Sequence, residues 1–127
     1  MDFGRTRIVV AHADRDVLVM QQSLFERNGF EVIPASDGNL ALAYCQLRQP
    51  ELLILSLRLE KRSGFLVMEE LIKAGVDASV IVTSDIEGRR HREYAELLGA
   101  RAYLLEPLVK NQLMQAVESC LFELAEV

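Results

Sequence analysis

The stretch Pro50–Leu59, PELLILSLRL, constrains the fold more than any other part of the chain. Its six residues from Leu52 to Leu57 carry one hydroxyl and no charge. A short, near-continuous apolar run of this kind is the pattern of a strand buried on both faces of a parallel sheet. In open parallel sheets the residue at a strand's carboxyl end faces the crevice where ligands and chemistry sit. Ser56 is therefore the position to follow.

The rest of the chain supplies the strands and crossovers that such a sheet needs. Arg7–Ala11 (RIVVA) is a β-branched run followed by His12-Ala13-Asp14, and it reads as the first strand. Asp14 suits an N-cap for a helix in which Val17, Met20, Leu24 and Phe25 recur at helical spacing before the stop at Asn28-Gly29. Phe30–Ala35 (FEVIPA) reads as a second strand, placed at a sheet edge because Pro34 cannot complete a ladder. The turn Ser36-Asp37-Gly38-Asn39 leads into a second helix with Leu40, Ala43, Tyr44 and Leu47 along one face, ended by Pro50.

After the third strand, Glu60–Gly64 is a polar loop and Phe65–Ala74 a helix stopped by Gly75. Ser79–Ser84 (SVIVTS) is a fourth strand, Gly88–Leu98 a charged helix, and Ala102–Leu105 (AYLL) a fifth strand. Leu108–Leu124 is the last helix, with Leu113, Val117, Cys120, Leu121 and Leu124 on one face. Five strands alternating with five helices imply an α/β fold with right-handed crossovers. An edge position for the second strand favours the doubly wound order 2-1-3-4-5, which sets the carboxyl ends of strands one and three side by side. His12, Ala13, Asp14 and Ser56 then share one crevice, with Ser84 and Glu106 beside it.

Composition narrows the function classes. At 127 residues, 1–127 reads as a single domain. A net charge of −5 opposes sequence-independent nucleic-acid binding, which depends on clustered Lys and Arg against phosphates. Protein partners are expected instead. No apolar stretch reaches the roughly 18 residues of a membrane span, and MDFGRTRIVV has no signal-peptide core, so the expectation is a cytoplasmic protein. Cys45 and Cys120 lack metal-site or redox spacing and read as small buried hydrophobes. No GxGxxG, Walker loop or HExxH occurs.

From Arg7 to about Leu124 the chain resembles a response-regulator receiver domain. The landmarks are NGFEV after the first helix, ASDGNLAL into the second, PELLILS, Gly64 opening the third, and LGARAYLLEP before the last. The resemblance implies a flavodoxin-like, three-layer α/β/α domain. It also implies an acidic pair holding magnesium, an aspartate that takes a phosphoryl group, a lysine and a hydroxyl that bind the phosphate, and an aromatic that moves with the hydroxyl. Such a centre joins a carboxylate nucleophile to a hard cation and charge-stabilising groups.

By position, the acidic pair falls on His12 and Ala13, the acceptor on Ser56, and the lysine on Glu106, which precedes Pro107. The hydroxyl falls on Ser84, or on Thr83 if the fourth strand is one residue shorter, and the aromatic on Tyr103. Four positions thus lose the chemistry that the resemblance requires. Ala13 and Ser56 offer magnesium no carboxylate, Asp14 is expected to be used as a cap, and Glu106 repels a phosphate dianion by a few kcal/mol at an effective dielectric of about 20. Magnesium binding is expected to be lost or weak, with no other cofactor or metal.

The sequence therefore points to a non-enzymatic pseudo-receiver, a phosphorylation-independent interaction module of a two-component or phosphorelay-related pathway. The alternatives are a receiver still switched covalently, on Ser56 or elsewhere, and a structural dimerisation unit. His12 and Glu106 are expected to pair across the crevice. Arg89, Arg90 and Arg92, with Arg101 beyond Gly99, form a candidate acidic-partner surface in the region of helix four, strand five and helix five, which the resemblance makes the usual partner face. No DNA-binding helix-turn-helix follows, so direct nucleic-acid contact is not expected, and the chain is expected to be a monomer or homodimer.

Overall fold

The computed structural model describes residues 6–125. Strands β1 (Arg7–Ala11), β2 (Glu31–Ala35), β3 (Leu52–Ser56), β4 (Ser79–Ser84) and β5 (Ala102–Leu105) alternate with helices α1 (Arg15–Arg27), α2 (Gly38–Arg48), α3 (Gly64–Ala74), α4 (Arg89–Leu97) and α5 (Lys110–Ala125). All pairings are parallel and the order is β2-β1-β3-β4-β5, the flavodoxin-like order that the strand pattern implies. Every residue of β3 is buried, as the PELLILS run requires of a central strand covered on both faces.

Alternation along the strands divides the core into two layers. Ile8, Val10, Ile54 and Ile81 face α1 and α5, where Leu18, Phe25, Leu113 and Val117 cover them. Val9, Leu53, Leu55 and Val82 face the other way, under Ala41 and Cys45 of α2, Val67 and Met68 of α3 and Ala95 of α4. Pro34 lies in the edge strand β2, where its missing N–H costs no ladder bond.

Helix faces depart from the sequence reading in three places. On α1 the buried line is Leu18, Gln21, Leu24 and Phe25, with Val17 and Met20 at its margin. On α2 the line is Gly38, Ala41 and Cys45, and Leu47 is 77% exposed. Apolar residues run nearly all round α2, so the smallest ones take the close contact with the sheet. On α5, Leu113, Val117, Cys120 and Leu121 are buried as read, whereas Leu124 is exposed. Sixteen helical residues span about 24 Å, against about 13 Å for four-residue β5, so the last turn overhangs the sheet.

Candidate functional site

Three of the first four helices begin on side-chain caps. Asp14 Oδ1 accepts from the amides of Asp16 at 2.8 Å and Val17 at 3.3 Å, as its place before α1 predicts. Asp37 caps α2 by accepting from Leu40 N at 2.8 Å, which holds its carboxyl below the usual carboxylate range, helped by Lys61. Ser63 Oγ accepts from Leu66 N at the start of α3. Asp14 and Ala13 are exposed at the rim.

His12, Ser56, Thr83 and Glu106 meet at the carboxyl ends of the strands. His12 Nε2 lies 2.5 Å from Glu106 Oε1, the pairing expected across the crevice. His12 Nδ1 accepts from Asp14 N at 3.0 Å, so the hydrogen-bond pattern assigns the ring proton facing Glu106 to Nε2. The contact is a charge-assisted hydrogen bond between the tips of β1 and β5. Because β3 and β4 lie between those strands, it bridges the ends that carry Ser56 and Thr83. Ser56 is only 3% exposed. Both His12 nitrogens are engaged, so the ring has no free nitrogen with which to act as a base toward Ser56.

The register separates the two candidate hydroxyls. Thr83 pairs with Ser56 and shares its face, and Thr83 Oγ1 is buried without a hydrogen-bond partner among the described residues. Ser84 turns to the opposite face, where its Oγ accepts from Ile86 N at 2.9 Å. Tyr103 lies on that same face, buried, and its hydroxyl donates to Ile86 O at 2.8 Å. Ser84 and Tyr103 are thereby tied to one loop residue. Ile86 acts only through its backbone, and a backbone contact leaves no mark in a side-chain pattern.

The basic residues divide between two flanks. Arg92 and Arg101 belong with β5 and α5: the Arg92 guanidinium stands 5.0 Å from the Tyr103 ring centroid, and Arg101 pairs with Glu123. Arg89 pairs with Glu93 one turn along α4. Arg90 instead lines a hollow of about 780 Å³ between α3 and α4, beside Phe65, Tyr94 and Leu97. There Phe65 stacks on His91, and the Tyr94 hydroxyl donates to Glu69, which raises the phenol's pKa. At the rim, Arg58 pairs with Asp85 at 2.6 Å and holds that carboxyl below the usual range. The buried Cys45 thiol is pushed up to about 12 by desolvation, and Cys45 and Cys120 are both free, as the spacing implies. No helix among the described residues is long and apolar enough to cross a membrane.

Comparison with known proteins matches the fold. The family model for the response regulator receiver domain covers residues 8–118. The chain is 27% identical over 121 residues to a probable transcriptional regulator, ycf27, of Cyanophora paradoxa, covering 95% of this chain and 50% of that protein. It is 31% identical over 123 residues to the transcriptional regulatory protein PrrA of Mycobacterium tuberculosis, covering 95% and 53%. The chain spans about half the length of these relatives. Among solved structures, a CheY-like response regulator receiver domain protein of Methanospirillum hungatei superimposes with a TM-score of 0.89 at 21% identity, covering 95% of this chain and 97% of that one. This chain belongs to the response regulator receiver domain family.

Proposed function

We propose that this receiver acts as a pseudo-receiver: a module of a two-component or phosphorelay-related pathway that binds protein partners without aspartyl phosphorylation. The observation that carries the reading is the 2.5 Å contact of His12 with Glu106 across the strand ends, with Ser56 buried between them. A phosphoryl donor would have to part that pair and would meet Glu106, whose charge opposes each negative charge of the phosphate by about 4 kcal/mol at 4 Å and an effective dielectric of about 20. Ser56 is buried and has no exposed hydroxyl to offer a kinase, which speaks against the covalent alternative.

Magnesium takes about six oxygens in near-octahedral array. Ala13 and Ser56 supply no carboxylate, and Asp14 Oδ1 is used at the α1 cap, so the residues present do not fit that ion. On this reading the partner surface is the α4–β5–α5 region, where Arg92 covers Tyr103 and Arg101 pairs with Glu123, and it suits a partner carrying carboxylates.

The experiment is a titration with magnesium and beryllium fluoride, followed by the amide resonances of Ser84, Ile86 and Tyr103. Spectra that superimpose throughout are expected. Saturable shifts at those residues would refute the reading.

A further inference from the structure

Of the four helices α1–α4, α4 is the least anchored. Its N-cap is Gly88, with no side-chain cap bond, whereas Asp14, Asp37 and Ser63 cap the first three helices. Only Ala95 of α4 is buried. A helix with neither a cap nor a broad apolar face is positioned by the few contacts its other side chains make.

One of those contacts belongs to a connected set that does not involve Ser56. The Ile86 amide donates to Ser84, the Ile86 carbonyl accepts from Tyr103, and the Arg92 guanidinium of α4 covers the Tyr103 ring. β4, the loop after it, β5 and α4 are joined in sequence by these three contacts. Arg89 and Arg101 each face a carboxylate, but Arg92 has none as an ion-pair partner among the described residues, and the tyrosine ring is what its guanidinium meets. A separation of 5.0 Å lies within the range of about 6 Å over which a guanidinium is attracted to a ring face.

We propose that Arg92 is a latch: it keeps Tyr103 in its buried position and, through Tyr103 and Ile86, sets the loop that leads into α4. The partner face would then be preset by a side chain on that face itself. The proposal extends the interaction-module reading but does not rest on the chemistry at Ser56. Shifts with beryllium fluoride would defeat that reading and leave the latch standing, while the variants below test the latch alone.

The test uses the full chain with 3-fluorotyrosine at Tyr44, Tyr94 and Tyr103, the Tyr103 line being identified by its loss in Y103F. Arg92 is exposed, so its replacement leaves the core intact. In R92M the Tyr103 fluorine line is expected to move toward its position in the urea-unfolded chain, and hydrogen exchange at the Ile86 amide to rise about fivefold. R92K, which keeps the charge without the planar fork, is expected to fall between R92M and wild type. R90M, which removes a charge two residues away from the Tyr103 contact, is expected to leave both readouts as in wild type. Failure of either readout to move in R92M, or an equal movement in R90M, would overturn the latch.

Discussion

Gln21 places both polar ends of its amide, Nε2 and Oε1, on the buried face of α1 without a hydrogen-bond partner among the described residues. Its neighbours on that face are Leu18, Leu24 and Phe25. A buried amide left unpaired costs about 1–3 kcal/mol, whereas an apolar side chain of similar shape carries no such penalty. Gln21→Met is therefore expected to stabilise the fold by about 1–2 kcal/mol, read as a higher urea midpoint at an unchanged slope. A midpoint equal to or below that of the parent chain would show that the amide is satisfied in solution. Helical spacing marks Val17, Met20, Leu24 and Phe25 and passes over Gln21, because a glutamine breaks an apolar stripe and no spacing rule marks a polar residue for burial. His12 and Glu106 were legible for the opposite reason. Their departures from the family pattern are complementary in charge, and the sheet order brings the two strand ends to one crevice.

At the scale of elements, the β3–α3 loop is clasped to the start of α2. Gly38 N donates to Glu60 O at 3.1 Å, Arg62 Nε donates to Asn39 Oδ1 at 2.6 Å, and Lys61 lies 3.4 Å from Asp37. The clasp is possible because Gly38 has no side chain: a Cβ there would sit 2.0 Å from the carbonyl oxygen of Arg62. Gly38→Ala must push backbone against backbone and is expected to cost about 2–3 kcal/mol, measured by thermal or urea unfolding. A variant as stable as the parent would mean that the loop moves away freely. The sequence marks Ser36–Asn39 as a turn with two caps, but it contains no sign that the loop after β3 closes over it, because contacts between distant loops follow from topology rather than local pattern. The α2 stripe escaped for a related reason. With apolar residues around most of the helix, close approach to the sheet selects the small residues Gly38, Ala41 and Cys45 and leaves Leu47 outside.

For the whole molecule, the alternation of strands and helices left two doubly wound orders, and the edge position that Pro34 implies for the second strand favoured the order found. The crevice followed from that order, and so did the meeting of residues from β1, β3, β4 and β5. What the sequence could not supply was the bonding inside the crevice: both His12 nitrogens engaged, Ser84 turned to a loop amide, and Tyr103 buried beneath Arg92. In the proposed pseudo-receiver the sheet and its strand ends are structural, signalling falls to the α4–β5–α5 face, and the receiver frame persists without the acceptor chemistry. The most direct measurement is the intact mass of the protein after incubation with acetyl phosphate and magnesium at neutral pH. A single species at the mass of the untreated chain is expected, and a species heavier by one phosphoryl group would refute the pseudo-receiver reading.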